Sequence, residues 1–381
     1  MSGPLHGVRV VDLSSVVMGP YACQILGDMG ADVIKVEAPA GDSTRRTMPQ
    51  RHEGMGVLLL QVNRNKRSVV LDLKSATGMA ELHALLDTAD AVVTNMRPGT
   101  LARLGLSPDA VRELHPHLVH CTAQGFRSDS AWADRAAYDE IVQSASGLTD
   151  LMRRATGSPT YVPTIMADKV CALTIVGAVL AALVHQRASG QGQHVEVPMT
   201  DVLLTFALLE HLAGTSFEPP EGEVGYLRSL ADGHGAARTA DGWACILPYN
   251  ERDITAFFTA VGRADLATDD RFASPAQRAL HWRELYAAIH EVAPLHTNAE
   301  WELICAEHSV PFAPVLDIAN ATADPYVTEG HLLDVGTHPT EGDYRVVAHP
   351  VRYSATPVEL RRHAPALGEH TAEVLAEVRD R

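Results

Sequence analysis

The chain has 381 residues, of which 46% are hydrophobic and 20% charged. That length supports a large core and two domains, and the composition is ordinary for a soluble globular protein. The formal net charge of -16 excludes a general nucleic-acid binder, which needs a basic face, but leaves room for a phosphate-bearing ligand held by a local cluster of Arg and Lys.

Val8–Leu13 reads as a short apolar strand. After Gly19-Pro20, Tyr21–Met29 places Ala22, Ile25, Leu26 and Met29 on one helical face, and Gly30 ends the helix. Asp32–Glu37 is the next strand, so strand, helix and strand form a βαβ unit with a parallel sheet. No G-x-G-x-x-G follows the first strand, so the dinucleotide fingerprint is missing. The alternation continues with strand Ser68–Lys74, helix Ala76–Ala89, strand Ala91–Asn95, helix Pro108–Leu114 and strand Leu118–Thr122. An open, doubly wound α/β domain follows, with ligands expected at the carboxyl ends of its strands. Lys74, Asn95 and Gly125 lie at such ends. Arg64, Lys66, Arg67, Lys74, Arg97 and Arg103 are candidates for one basic rim around a bound anion.

Up to Met166 the chain reads as a loop punctuated by Gly157, Pro159 and Pro163. From Asp168 to about Gln186 it reads as a buried helix, with Val170–Val184 almost uninterruptedly apolar. That run is shorter than the roughly 20 residues of a membrane span, so a core helix is expected. Asp168 thus sits at or near a helix N-terminus, where an aspartate is either a capping residue or a reactive carboxylate. His194–Val197 is a further strand and Thr200–Ala213 a helix. Phe217–Glu223 looks like a linker. A second, smaller domain begins beyond it, with strand Trp243–Tyr249 and helices Asp253–Val261, Pro275–Val292 and Asn298–Ser309. The tail carries strand Tyr344–Ala348 and helix Thr371–Val378.

Cys23, Cys121, Cys171, Cys245 and Cys305 are far apart, odd in number and without C-x-x-C spacing. That pattern fits free thiols in a reducing, cytoplasmic compartment. The start, Met1–Gly7, has no basic segment before an apolar core, so no signal peptide is expected. His115, His117 and His120 are read as a surface turn rather than a metal site, because Pro116 and the following strand oppose their convergence.

The pattern as a whole resembles the class III CoA-transferase family, which includes formyl-CoA transferase, carnitine CoA-transferases and the related α-methylacyl-CoA racemases. The resemblance runs along essentially the whole chain. It is carried by Val10-Val-Asp-Leu13 with Gly19-Pro20, Gly30–Glu37, Gly41-Asp42, Asn63–Arg67, Leu71–Lys74, Asn95 with Pro98-Gly99, and Arg103-Leu-Gly105. Ala137-Tyr-Asp139, Asp168, Gly190-Gln-Gly192, Val310–Val315 and Leu367–Thr371 continue it. It implies an α/β fold: a large Rossmann-like doubly wound domain (1–215 completed by 331–381) and a smaller α+β domain (216–330). Two such ring-like chains would interlock as a homodimer. It also implies acyl-CoA:carboxylate CoA transfer through an anhydride and a CoA thioester on Asp168. Coenzyme A would enter as part of the substrate, with no resident cofactor, metal, nucleic acid or membrane.

The same resemblance places CoA against Val17, Leu71, Asp72, Leu73, Lys74, Asn95, Met96, Arg103, Tyr138 and Asp139, and oxyanion donors at the helix start or in Asp232–Gly235. Val17 stands where formyl-CoA transferase has an acyl-site glutamine, Ala136 where it has a CoA-binding lysine, and no Trp occupies the loop near Met48; an apolar Val17 and Met48 suit a larger or less charged acyl group. Tyr138 stands where the racemases use histidine. Tyrosine is a poor base near neutral pH, so transfer is expected over the alternative of α-methylacyl-CoA racemisation or epimerisation. A non-catalytic CoA-binding protein is the remaining alternative.

Overall fold

The computed structural model describes residues 3–379. These fall into two compact units. The larger holds the chain up to Leu148, Tyr161–Phe206 and the segment from Thr328 onward; the smaller holds Thr149–Thr160 and Ala207–Val327. The expected boundaries at 215/216 and 330/331 therefore shift. Residues 149–160 and 207–215 group with the smaller unit, and 328–330 with the larger. Helix Leu148–Thr156 buries none of its side chains, and Arg154 donates to the Val224 carbonyl (3.5 Å), which ties that segment to the smaller unit.

The larger unit is built on a six-stranded, all-parallel sheet, with a two-stranded antiparallel hairpin (Leu333–His338, Gly342–Val347) in its C-terminal segment. In chain order its elements are β1 (Arg9–Asp12), α1 (Met18–Asp28), β2 (Asp32–Glu37), α2 (Val57–Val62), β3 (Lys66–Val70), α3 (Ala76–Leu86), β4 (Ala91–Thr94), α4 (Pro98–Arg103), α5 (Pro108–Leu114), β5 (Val119–Gln124), α6 (Asp139–Ala145), α7 (Leu148–Thr156, mostly in the smaller unit), α8 (Met166–Ser189), β6 (His194–Pro198) and α9 (Met199–His211). The strand order is β3-β2-β1-β4-β5-β6, with Val10 beside Val33 on one side and beside Ala91 on the other. This is the doubly wound order, and the winding reverses between β1 and β4.

Strand side chains alternate between faces, and both faces are apolar because helices cover both. Val10, Val33, Ala91, Val93 and Cys121 pack with α1 and α8. Val11, Ile34, Val69 and Val92 pack with α3 and with Val374 of helix Thr371–Arg379, which brings the tail back onto this unit. Helix α8 is the long element beneath the sheet. Cys171, Ala172, Ile175 and Val179 recur at helical spacing and are fully buried against α1 and β5. At 24 residues α8 is long and apolar enough to cross a membrane by length and composition, so the argument from the shortness of Val170–Val184 does not hold. Here it is a packed core helix.

Several boundaries move for local reasons. α1 begins three residues before the expected Tyr21, because Pro20 falls in its first turn, where no intrahelical N–H is needed. β3 ends at Val70, and Asp72 turns the chain by accepting from the Lys74 N–H (3.0 Å). The smaller unit joins a three-stranded antiparallel sheet (Ala237–Arg238, Trp243–Ile246, Phe312–Pro314) to short helices around Phe257, Phe258, Phe272 and Trp301. The single helix expected over 275–292 is two, Pro275–Leu280 and Trp282–Val292, separated at His281 (φ -127°, ψ 28°).

Candidate active site

The strand order reverses between β1 and β4, and in sheets of this kind the loops at the carboxyl ends of those two strands are where ligands bind. Val16, in the loop between β1 and α1, has φ 70°, a left-handed conformation that a β-branched residue adopts only when its surroundings impose it. The surroundings are named groups. The Val16 N–H faces both oxygens of Asp42 (3.3 and 3.2 Å), and Lys35 donates to Asp42 (3.0 Å) and to the Ser14 carbonyl (3.0 Å). From β4, Asn95 accepts from the Ser15 N–H (3.0 Å) and donates to the Ser15 carbonyl (2.8 Å). Asn95 thus clamps the two loops together, and both ends of its amide are already engaged.

The braced loop delivers the N-terminus of α1 to Asp168. Val17 caps α1 without a side-chain hydrogen bond, and because Pro20 has no N–H, the uncapped donors of the first turn are those of Met18 and Gly19. The Met18 N–H faces the Asp168 carboxylate and favours its ionised form. Asp168 is the third residue of α8, and it is not the cap. The cap position is Ile165, and the capping carboxylate is that of Asp139. Asp139 Oδ1 accepts from the Ala167 N–H (2.6 Å) and the Asp168 N–H (3.2 Å), and Oδ2 accepts from Gln143 (2.5 Å). Gln143 in turn accepts from the Val162 N–H (3.0 Å), which ties the preceding loop to the same network.

Two carboxylates therefore meet at one helix end. Burial pushes the Asp168 carboxyl up, and the Asp139 charge adds to it; the Met18 N–H opposes, and the result is about 6. At neutral pH Asp168 is ionised, more basic than an ordinary carboxylate, and incompletely solvated. Those are the properties of a carboxylate nucleophile.

The other expected residues divide. Val17 is buried beside Met18, while Leu71 is buried and Asp72 and Lys74 are exposed on the turn after β3. The Met96 carbonyl accepts from Gln124 (2.9 Å), and Arg103 reaches only Thr100 (3.0 Å). Tyr138 precedes α6 and is 66% exposed. Arg135, beside Ala136, stacks its guanidinium 4.3 Å from the Trp132 ring centre. Asp232–Gly235 lies in the smaller unit, where the Gly233 carbonyl is bound to His290 (2.8 Å).

The six-membered basic rim is corrected. Lys66, Arg67 and Arg64 are buried and spent internally: Lys66 on Asp12 (2.8 Å), Arg67 on Asp32 (2.7 Å) and Glu377 (2.6 Å), Arg64 on Asp28 (2.6 Å). Lys66 opens β3, so it and Arg67 lie at the amino end of the strand, away from the ligand edge. Burial alone would raise the Asp12 carboxyl, but Lys66 and Lys35 hold it down to about 2. Lys74, Arg97 and Arg103 remain exposed, with no carboxylate partner among the described residues. His115 is engaged by Asp87 (2.8 Å) and His83 (2.9 Å), and no group of three or more potential metal ligands occurs among the described residues.

Sequence reasoning missed Gln143, Met18, Asp42 and Lys35. Gln143 lay four residues after Asp139, the helical spacing at which a Gln meets an Asp, and could have been found from that signal. The others act through backbone groups or partners distant in sequence.

The profile of CoA-transferase family III matches residues 5–371. A succinate–glutarate CoA-transferase of Agrobacterium fabrum is 34% identical over 383 residues, covering 98% of this chain and 96% of the relative. A probable fatty acyl-CoA transferase of Mycobacterium tuberculosis is 32% identical, covering 98% of both chains. The crystal structure of a CaiB/BaiF family protein from Brucella suis superposes with a TM-score of 0.83 at 28% identity, over 99% of this chain and 100% of that one. The chain belongs to CoA-transferase family III.

Proposed function

We propose that this protein moves coenzyme A from an acyl-CoA to a free carboxylic acid, with Asp168 as the covalent nucleophile. The observation that carries the reading is Asp168 itself: a partly buried carboxylate, raised to about 6, held at the start of α8 and faced by the first N–H of α1. The family and the CoA-transferase relatives support the reaction class.

Each step balances. Asp168 attacks the thioester carbonyl; the C–S bond breaks, giving an acyl–aspartyl anhydride and CoA thiolate. The thiolate attacks the aspartyl carbonyl, releasing the first acid as carboxylate and leaving an aspartyl-CoA thioester. The acceptor carboxylate attacks that thioester and expels the thiolate again. The thiolate then attacks the acceptor's acyl carbon, which forms the new CoA ester and returns Asp168. With Met18 turned to Asp168 and Pro20 lacking an N–H, the Gly19 N–H is the uncapped donor of the first turn of α1 suited to an oxyanion. Lys74, Arg97 and Arg103 are suited to CoA phosphates, and Val17, Leu71–Lys74, Asn95, Met96, Tyr138 and Asp139 complete the proposed CoA contacts. Asn95 and Asp139 do so while shaping the site, because their polar atoms already serve the protein. An interlocked homodimer and a cytoplasmic location are part of the same reading. The free thiols Cys23, Cys121, Cys171, Cys245 and Cys305 agree with the latter.

The test is an incubation in D2O with several acyl-CoA esters and a panel of free acids, read by mass spectrometry. New CoA esters without deuterium are expected. Unchanged esters that gain an α-deuterium would instead identify a racemase or epimerase. Asp168→Ala is expected to lose at least about a thousandfold in turnover with CoA binding retained. Turnover near wild type would remove Asp168 from the mechanism.

A further inference from the structure

We propose that the smaller unit carries a binding pocket for a small organic oxyanion, a carboxylate or phosphate group on an apolar body. The pocket lies between helices Leu227–Leu230, Pro275–Leu280 and Trp282–Val292 and the loop at Tyr249. Its volume is about 520 Å³, within the range of small-molecule sites. Every residue that lines it belongs to the smaller unit, so the inference does not rest on the transferase reading. Two arginines, Arg228 and Arg278, line the pocket, and no Asp or Glu does. Acids outnumber Lys and Arg 47 to 31 in the chain, so a wall with two cations and no acid is a local reversal of charge.

Buried arginines of the larger unit, such as Arg45 and Arg64, close on a carboxylate, Glu37 and Asp28 respectively. Arg228 and Arg278 have no carboxylate partner among the described residues. Arg278 is buried and gives one nitrogen to the Phe272 carbonyl (2.8 Å). Arg228 Nε is buried without a hydrogen-bond partner, and the polar groups beside this guanidinium are the neutral hydroxyls of Tyr226 and Tyr286. Asn250 also lines the pocket, but its side chain is spent on Asp253, accepting from the N–H (3.0 Å) and donating to the carboxylate (2.8 Å). A guanidinium does not shed its proton, so a charge left without an internal partner favours an anion from outside. The setting also holds the group still. Tyr249, Trp282 and Tyr286 form a stacked row, with ring centres 6.3 and 5.8 Å apart. The Arg228 guanidinium carbon lies 4.8 Å from the Tyr249 ring centre and 5.5 Å from that of Trp282. Contacts of this kind engage the flat face of a guanidinium and leave its in-plane N–H fork for an acceptor, and two oxygens of a carboxylate or phosphate match that fork. Leu227, Pro275 and Ala279 supply apolar wall for the rest of the ligand.

The experiment titrates the full chain, without CoA, by isothermal calorimetry with 3-phenylpropanoate and phenyl phosphate as probes. The neutral 3-phenylpropan-1-ol and inorganic sulfate are titrated beside them. At least one organic oxyanion is expected to bind, with the alcohol at least about tenfold weaker, and the tighter of the two probes identifies the preferred group. Arg228→Met keeps an unbranched stem against the Tyr249 and Trp282 rings and should weaken that probe at least about tenfold while leaving the alcohol unchanged. Asp168→Ala should bind the probe as the wild type does. In the wild-type chain the probe should also shield Arg228 from phenylglyoxal, read by mass spectrometry of peptides, so the assignment does not depend on a variant that folds. Equal binding of alcohol and acid, or binding that Arg228→Met leaves intact, would overturn the inference. So would loss of binding in Asp168→Ala, which would place the probe at the transferase site. Sulfate bound as tightly as either probe would mean an adventitious ion only and would overturn it too. No binding of any probe would overturn it as well, and an oligomeric state altered by Arg228→Met would then assign the pocket to a second copy of the chain.

Discussion

The raised Asp168 carboxyl has a stability consequence that Asp168→Asn exposes. Burial and the Asp139 charge move this group from its ordinary 3.8 to about 6. A shift of that size corresponds to about 3 kcal/mol between the protonated and ionised forms. Because the folded value is raised, the folded state favours the protonated acid. Below about pH 4 both folded and unfolded chains hold the proton and there is no cost. Between about 4 and 6 the unfolded chain ionises first, and above 6 the folded protein carries the full cost of a poorly solvated charge. An amide of the same shape carries no charge and no such cost. Asp168→Asn is therefore expected to be inactive yet more stable by up to about 3 kcal/mol at pH 8, by about half of that at pH 5, and by almost nothing at pH 3.5. Urea denaturation of the two proteins across this range measures the gap. A gap that does not change with pH, or a wild-type protein that is the more stable at pH 8, would refute the account of Asp168 as a strained carboxylate.

The same group shapes the rate profile. With the nucleophile titrating at about 6, kcat/KM should fall on the acid side with a midpoint near that pH and be about tenfold lower at pH 5 than its plateau. Asp139→Asn, which removes the neighbouring charge, should move that limb to lower pH; an unmoved limb would separate Asp139 from the titration. Away from the site, Lys66→Met leaves Asp12 buried without its 2.8 Å partner and should cost about 3–5 kcal/mol in urea unfolding, with much of the loss recovered by adding Asp12→Asn.

The alternation of short apolar strands and amphipathic helices over the first 125 residues was enough to derive a doubly wound parallel sheet, and Asp168 was legible as a charged residue at the start of the most apolar helix. Both are local properties, because side-chain period and breaker residues act over a few positions. The resemblance carried the family along the whole chain, and the match over residues 5–371 agrees with it. What local pattern could not supply was partnership. The basic run Asn63–Arg67 looks like a ligand rim in the sequence, but its three cations find Asp12, Asp28, Asp32, Glu373 and Glu377, some more than 300 positions away. Capping of α8 passes to Asp139, 28 positions before Ala167. The first amide of α1 reaches a carboxylate 150 residues later in the chain. Sequence by itself determined the elements, the two-faced apolar sheet and the place of Asp168 at the start of the most apolar helix. Only the tertiary structure decided which charges are neutralised in the interior and which stay free, because a charge leaves water only against a partner, and the partner is chosen by the packing of distant strands and helices.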